Sequence, residues 1–202
     1  MQLKIPFKWP LFLVGIAGIP QSSLIIFFLT GNTPVESTPR AVFQEHPSLP
    51  TAGARAELPI RFIIPKINVD ATVEYVGVTS GGAMDVPKGP DAVAWFSLGS
   101  RPGETGSAVI SGHYGWKNGI PAVFDNLHML QKGDKLYVED EKGAITTFVV
   151  REFRTYGGTE PAPEVFGSSD GKAHLNLITC TGVWNKAEKT RSDRLIVFTD
   201  KE

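Results

Sequence analysis

The chain of 202 residues contains one cysteine, Cys180, within the segment HLNLITCTG at residues 174–182. One cysteine cannot form an internal disulfide, so this thiol is a small buried side chain, an intermolecular link or a nucleophile. A free thiol ionises near pH 8.5 and needs a base or a cation beside it to react well at neutral pH. The histidines and arginines that the fold can bring to Cys180 therefore decide whether it is catalytic.

The four histidines differ in how well they could serve this thiol. His174 lies in the same strand-like run as Cys180, but six residues of strand span roughly 20 Å, far beyond a hydrogen bond of about 3 Å. His46 falls in a stretch rich in Pro and Ser, and His128 in a short helical pattern where a surface or packing role is expected. His113 ends the run AVISGH before a loop-like segment, and a strand end can direct a side chain into a cleft. A hydrogen-bonded structural imidazole is the alternative for His113.

An arginine at the start of the last strand-like run is the third candidate. Arg194 opens RLIVFT, after the polar segment TGVWNKAEKTRSD, which is expected to be a loop. Arginine keeps its charge and offers a planar fork of donors, so it could favour a thiolate and hold a carbonyl or an oxyanion. A solvated surface role is the alternative. Arg191 is a competitor, but it is expected within the loop, so Arg194 is preferred.

These candidates need a scaffold, and the pattern after Ile60 is typical of an all-β domain. Short runs rich in Val, Ile, Thr, Phe and Tyr are separated by clusters of Gly, Pro, Asp or Ser. Seven or eight such strands in about 140 residues indicate a sandwich or a closed barrel. Two short helical pieces are expected at residues 121–130 and 161–167, where Pro121 and Pro161 suit a first helical turn. The strand-like runs are IRFIIPKINVDATVEYVGV, AVAWF, SAVISGH, KLYVED, ITTFVVREFRTY, HLNLITC and RLIVFTD.

The pattern of the N-terminal residues predicts a membrane segment separate from the β domain. No charge interrupts Leu11–Leu29, and 19 helical residues would extend roughly 28 Å, close to the hydrocarbon thickness of a bilayer. Lys4 and Lys8 precede the segment, so the positive-inside rule places the N-terminus in the cytoplasm. We therefore expect an anchor at residues 1–30, an extended linker at 31–59 and a folded domain at 60–202. A cleaved signal peptide is the alternative to the anchor.

The overall charge narrows the classes of partner. The chain has 20 basic and 21 acidic side chains and a net charge of −1. This balance provides no electrostatic reason to expect a nucleic-acid partner.

Together, the candidate residues resemble the motifs of the sortase family. Leu177-Ile178-Thr179-Cys180 matches its Leu-x-Thr-Cys signature, Ser111-Gly112-His113 resembles its catalytic histidine motif, and Arg194-Leu195-Ile196-Val197 resembles its Arg-led final strand. The order of the three motifs agrees, and the resemblance covers roughly residues 60–200. Asn176 departs from the Thr found in many members. The compact elements and the Cys-Thr-Gly sequence look most like class F, with class E or D as the next choice.

The resemblance implies an eight-stranded barrel and a cysteine transpeptidase. In that family a thiolate cleaves a C-terminal Leu-Pro-x-Thr-Gly-type sorting signal between Thr and Gly, and an amine resolves the resulting thioester. Cys180 would be the nucleophile, His113 the general acid and base, and Arg194 the residue that orients substrate, with Thr179 as a substrate contact. The implied partners are surface proteins bearing sorting signals and an amine from a cell-wall peptide or a pilin lysine.

The anchor predicted from the uncharged segment and its flanking lysines would place the catalytic domain outside the cell, on a single-pass membrane helix. No metal or other cofactor is required for this chemistry. A calcium site has precedent in the family, but EDEKG at residues 139–143 is better explained as a charged hairpin turn.

Two other classes of protein remain open from the residues alone. A secreted cysteine hydrolase would use the same cysteine and histidine but deliver the acyl group to water. A membrane-tethered barrel that binds peptides without chemistry would keep its Cys180 inert.

Overall fold

A computed structural model describes residues 56–202, and over this range the chain forms eight β-strands and a few short helical turns. The strands are β1 Pro59–Ile64, β2 Val69–Val76, β3 Val93–Phe96, β4 Gly106–Gly112, β5 Lys135–Asp140, β6 Ile145–Gly157, β7 Ala173–Asn185 and β8 Thr190–Lys201. The helical turns are 3-10 turns at Pro65–Ile67, Lys117–Gly119 and Leu127–Met129, and the α-helix α1 at Pro163–Phe166. The all-β prediction is confirmed.

The eight strands close into a barrel in the order β1-β2-β3-β4-β7-β8-β6-β5. β2 pairs parallel with β3 and β4 pairs parallel with β7, while the other neighbours are antiparallel. Parallel neighbours cannot be joined by a tight hairpin, and β5 and β6 lie within the long connection between β4 and β7. This crossover places the strand that precedes His113 against the strand that carries Cys180. Of the two architectures predicted from the strand runs, the closed barrel is the one formed.

The barrel interior is filled by alternate side chains of each strand. Leu175 and Leu177 on β7 point inward and are fully buried, together with three aromatic rings, Phe62, Phe124 and Phe148. Phe62 and Phe124 meet edge to face, with ring centroids 6.1 Å apart. Burial of each such side chain contributes about 1.5–3 kcal/mol to folding. This core holds the register of the strands that carry the candidate site.

A second apolar cluster lies on the outside of the barrel. Val165 of α1 packs against Ile178 on β7 and Ile196 on β8, and all three side chains are fully buried. Successive side chains of a strand point to opposite faces, so Cys180, two residues beyond Ile178, also belongs to the outer face. The short helix α1 therefore covers the outer face of β7 at Ile178 but does not extend over Cys180.

The last two strands are longer than the sequence predicted. The runs HLNLITC and RLIVFTD predict a strand that ends at Cys180 and a last strand that begins at Arg194. Both bounds are wrong, because β7 and β8 continue as a hairpin in which Trp184 pairs with Arg191. Most side chains of this extension are exposed. The segment TGVWNKAEKTRSD consequently lacks the alternation of apolar residues that marks a half-buried strand. Arg191 is therefore a strand residue and not a loop residue.

The predicted helical pieces are only partly formed. The piece expected at 121–130 contains one 3-10 turn, Leu127–Met129, whereas the piece at 161–167 contains α1. The charged segment at 139–143 is the predicted hairpin turn, since Asp140 Oδ1 accepts hydrogen bonds from the backbone N–H groups of Lys142 and Ala144, both at 2.9 Å.

The proposed anchor and linker fall almost entirely outside the described residues. The Leu11–Leu29 segment and His46 both precede residue 56, and their structure is therefore not described. Among residues 56–202, no helix has the length and apolar character needed to cross a membrane.

Candidate active site

Three candidate residues lie in one row across neighbouring strands. Cys180 on β7 pairs directly with Arg194 on β8. On its other side, β7 runs parallel to β4 with Ser111 beside Ile178. His113 is the first residue after β4, and continuing the register by two residues would set it level with Cys180, because neighbouring strands lie about 4.8 Å apart. The register of non-consecutive strands therefore brings together three residues that are far apart in sequence.

A buried hydrogen bond links the two strands beside the reacting residues. Thr179 is 1% exposed, and its hydroxyl donates to the carbonyl oxygen of Gly112 over 2.9 Å. The bond joins the residue before Cys180 to the residue before His113. With its hydroxyl already engaged, Thr179 acts here as a link between β4 and β7, and the predicted substrate contact through this residue stays a prediction.

Gly112 allows a close approach just before the histidine. A Cβ atom at this position would lie 2.5 Å from a ring carbon of Phe124, which is fully buried. The absence of a side chain lets the phenylalanine ring fill the barrel end beneath His113. The glycine of the Ser-Gly-His segment is therefore required by packing.

The imidazole of His113 is oriented by a backbone carbonyl and an indole ring. Its Nε2 lies 2.8 Å from the carbonyl oxygen of Pro87. A carbonyl oxygen can only accept, so Nε2 carries the hydrogen in this contact, and Nδ1 is the nitrogen free to accept a proton in the neutral ring. The ring also packs against Trp116, with centroids 4.7 Å apart. His113 is thereby held in one tautomer, as a base beside a thiol requires.

The guanidinium of Arg194 turns to the backbone of its own strand. Arg194 is 1% exposed, and its Nη1 donates to the carbonyl oxygens of Arg191 and Asp193 at 2.9 and 2.7 Å. Its Nη2 donates to the hydroxyl of Thr190 at 3.0 Å, and its Nε has no hydrogen-bond partner within the described part of the chain. Arg194 thus neighbours Cys180 by strand pairing, while its charged group braces the start of β8.

A cleft of about 580 Å³ opens beside the thiol. His113 and half-buried Cys180 both line it, and the arginine on its wall is Arg191 rather than Arg194. This volume falls in the range of small-molecule and peptide subsites. The sequence favoured Arg194 over Arg191 as the substrate-orienting arginine, because the polar segment around Arg191 lacks the pattern of a strand. The other side chains of its wall include Tyr114, Trp116, Lys117, Trp184 and Lys189.

Cys180 also borders a smaller cleft, of about 320 Å³, that contains a second histidine. His128 lines this cleft with Tyr114, Phe124 and Leu195, and its Nδ1 lies 3.1 Å from the carbonyl oxygen of Asp125. The sequence indicated a surface or packing role for His128. The side chain is exposed, as expected, but its position near the thiol could not be anticipated from a residue 52 positions away.

His174 has a different set of partners, far from the thiol. β7 is continuous from Ala173 through Cys180, so roughly 20 Å of strand separates the two residues. The ring lies 2.8 Å from Asp200 Oδ1 and 3.0 Å from the carboxylate of Asp170. The hydrogen bond from His174 lowers the pKa of Asp170 to about 2, helped by the backbone N–H of Lys172. The exclusion of His174 by strand length thus agrees with the geometry.

Over residues 56–202, no cluster of three or more His, Cys, Asp or Glu side chains is arranged to hold a metal ion. The site combines a cysteine in a cleft, a carbonyl-oriented histidine directly after the adjacent strand β4, and two arginines on the opposite neighbour β8. This arrangement is that of an enzyme in which a thiol accepts an acyl group and a histidine moves the proton.

Comparison with known proteins agrees with this class. A family model described as the sortase domain matches residues 62–202. The structure is similar to sortase C-1 from Actinomyces oris, with 26% sequence identity, a TM-score of 0.56 and coverage of 71% of this chain and 74% of that chain. It is also similar to Streptococcus agalactiae sortase C1 in complex with MTSET, with 25% identity, a TM-score of 0.55 and coverage of 70% of this chain and 66% of that one. A search of curated proteins found no match.

Sortase A from Corynebacterium diphtheriae shares the fold at 24% identity, with a TM-score of 0.55 and coverage of 73% of this chain and 63% of that chain. The domain match spans more than half of the chain, from β1 to the last residue. The chain therefore belongs to the sortase family, and it is a cysteine transpeptidase.

Proposed function

We propose that this sortase cleaves a Leu-Pro-x-Thr-Gly-type sorting signal between Thr and Gly and transfers the new C-terminus to an amine. The observation that carries the proposal is that His113, directly after β4, and Cys180 on β7 line one cleft of about 580 Å³, with Arg194 of β8 paired to Cys180. A thiol, a proton carrier and a donor of fixed charge are the groups that acyl transfer from a peptide bond requires.

The first half of the reaction forms a thioester. The Cys180 thiolate attacks the carbonyl carbon of the Thr residue, and the C–N bond to Gly breaks after the tetrahedral intermediate. His113 delivers a proton to the leaving amine, and Nδ1 is the suitable nitrogen because Nε2 is engaged with the Pro87 carbonyl. In the second half an incoming amine attacks the thioester, its proton passes to His113, and the thiolate leaves.

Arg194 is proposed as the residue that orients the substrate carbonyl or stabilises the developing oxyanion. Support comes from its direct pairing with Cys180. Its guanidinium is occupied by oxygen atoms of residues 190–193, so contact with substrate requires the exchange of one of those hydrogen bonds. Arg191, on the cleft wall, is the competitor for the same role.

Among the sortase classes, we propose class F, with class E or D as the alternative. The support is the compact set of elements between β1 and β8 and the Cys-Thr-Gly sequence that follows the catalytic strand motif. The acceptor amine is proposed to come from a cell-wall peptide or a pilin lysine.

The site of action is proposed to be the outer side of a cell membrane, with the Leu11–Leu29 segment as a single-pass anchor. The uncharged segment and the preceding Lys4 and Lys8 support this placement. We expect the full-length chain in the membrane fraction, and deletion of residues 1–50 should release a folded domain. Recovery of a soluble mature protein whose N-terminus lies beyond residue 30 would contradict the anchor.

The experiment that tests the function uses mass spectrometry. The purified chain is incubated with a sorting-signal peptide, with and without a small amine such as triglycine. We expect an acyl adduct on Cys180 and a ligated product that requires the amine. Release of only the hydrolysed peptide would favour a cysteine hydrolase, and absence of any adduct on an alkylatable thiol would favour a peptide-binding barrel.

A further inference from the structure

The charged side chains on the wall of the larger Cys180 cleft all have the same sign. Lys117, Lys189 and Arg191 line this cleft, and no Asp or Glu does. The chain as a whole is balanced, with 20 basic and 21 acidic residues. Three cations without an acid on one wall are therefore a local departure from the composition of the protein. Such a concave surface attracts anionic ligands and raises their rate of approach.

The cations are placed by aromatic rings and by the backbone. Arg191 lies over the ring of Tyr114, with 4.6 Å from Cζ to the centroid, and donates to the carbonyl oxygen of Gly182 at 2.8 Å. Lys117 Nζ lies 5.5 Å from the centroid of Trp116. Within the described residues, none of the three wall cations forms an ion pair with a carboxylate. Their charges are therefore available to a ligand.

Four carboxylates belong to residues that lie close in sequence to this wall or accept a hydrogen bond from it, Asp85, Asp125, Glu188 and Asp193, but none of them lines the cleft, and Glu188 lines a neighbouring pocket. Asp125 Oδ1 accepts the backbone N–H of Gly115, and Asp193 Oδ2 accepts the hydroxyl of Ser192 at 2.9 Å. Asp85 Oδ1 accepts the backbone N–H of Val86 at 2.9 Å. These acids reduce the positive potential of the cleft but do not line it. The wall itself presents cations and aromatic faces.

We propose that this cleft selects a peptide substrate that carries a carboxylate next to the reacting group. The inference rests on the proposed acyl transfer at Cys180, and it names the charge of the substrate that the cleft prefers. The carboxylate has two sources of the same chemistry. It belongs either to acidic residues that flank the cleaved Thr–Gly bond or to an acceptor with a carboxylate beside its amine.

The sole cysteine allows a direct test of the cleft charge without turnover. Two methanethiosulfonate reagents are compared on the full-length chain, one with a sulfonate group and one with a trimethylammonium group. The Cys180 thiolate attacks the sulfenyl sulfur in both, which forms a mixed disulfide and releases methanesulfinate. Both reagents react with the same thiolate, so the ionised fraction of Cys180 cancels when the two rates are divided.

We expect the sulfonate reagent to gain about tenfold or more over the trimethylammonium reagent at low salt, relative to their ratio on a small free thiol. The gain should shrink as salt is added. The double variant Lys117→Gln/Lys189→Gln should lower the ratio severalfold. Lys66→Gln/Lys132→Gln is the matched control, with the same change of net charge at two exposed lysines outside the cleft. A wild-type ratio equal to that of the free thiol, or equal losses in both variants, would overturn the proposal.

The source of the carboxylate is separated by single-turnover measurements. Sorting-signal peptides with Glu or Gln after the Thr-Gly pair report on acylation, and glutamate or its diamide as acceptor reports on transfer. A preference for the acid in acylation assigns the carboxylate to the donor peptide, and a preference only in transfer assigns it to the acceptor. No preference in either step would overturn the proposal. If no peptide acylates Cys180, the proposed function fails, whereas the reagent ratio still reports the cleft charge.

Discussion

Arg194→Lys is the substitution that best tests how the site is built. It keeps the positive charge but removes the planar fork that donates to two carbonyl oxygens and one hydroxyl of residues 190–193. The residue is 1% exposed, so water cannot readily replace the lost donors. If only the positive charge contributes, the lysine variant should keep the rate of acyl transfer. If the planar fork contributes, the lysine variant should be much slower.

The size of the effect follows from the contacts. A single ammonium group cannot reach all three acceptors of the guanidinium, and we expect it to lose two. Hydrogen bonds from a charged donor contribute about 1.5–3 kcal/mol each. The free energy of unfolding should therefore fall by about 3–6 kcal/mol, which leaves a domain in the middle of the ordinary range of about 5–15 kcal/mol folded. Loss of a donor to a developing oxyanion should lower the rate of acyl transfer by a further factor of about 10²–10³.

The assay separates these two effects. Urea denaturation measures the loss of stability, and alkylation of Cys180 by uncharged iodoacetamide shows whether the thiol keeps its setting. Single-turnover acylation, followed by mass spectrometry, measures the rate. We expect Arg194→Lys to be folded, alkylated at the normal rate and nearly inactive.

Arg191→Lys is the control, because Arg191 donates to one carbonyl oxygen, that of Gly182, and stacks on Tyr114, contacts that a lysine partly retains. Normal activity of Arg194→Lys with an inactive Arg191→Lys would show that the arginine on the cleft wall carries the role. Normal activity of both would mean that neither guanidinium takes part in the reaction.

Substitutions at Cys180, His113 and Thr179, with His174→Ala as a comparison, test the remaining site residues. Cys180→Ala should abolish acyl transfer and Cys180→Ser should nearly do so, because a hydroxyl ionises far less readily; a fully active serine variant would refute thioester chemistry. His113→Ala should be inactive while His174→Ala keeps most activity, and a folded but inactive His174→Ala would reverse that assignment. Thr179→Val should lower the free energy of unfolding by about 1–3 kcal/mol, because the buried carbonyl oxygen of Gly112 loses its donor. Thr179→Ser keeps the hydroxyl donor and should therefore retain most of the wild-type free energy of unfolding. Equal stability of the two variants in urea would contradict the role of Thr179 as a link between β4 and β7.

Local patterns in the sequence were sufficient to predict most strands and the reacting residue types. KLYVED forms β5 over the predicted residues, and ITTFVVREFRTY forms all but the last residue of β6, because their apolar residues face the core at every second position. Strand spacing alone excluded His174 as the base for Cys180, since the rise per residue is a property of any extended chain. The polar hairpin at the end of β7 and the start of β8 escaped detection because its side chains face solvent on both sides, which erases the alternation.

Only the tertiary structure decided which residues meet. The parallel pairing of β4 with β7 brings His113 to the cleft of Cys180, and such pairing depends on the packing of the whole barrel. The 3-10 turn Leu127–Met129 carries His128 to the smaller cleft. The same holds for the arginines. The sequence indicated that an arginine near residue 194 would accompany the cysteine, but the direction of each guanidinium depends on which oxygen atoms the folded hairpin presents. Arg194 satisfies backbone carbonyls and Arg191 reaches the cleft, because side-chain direction is set by contacts between strands rather than by position along the chain.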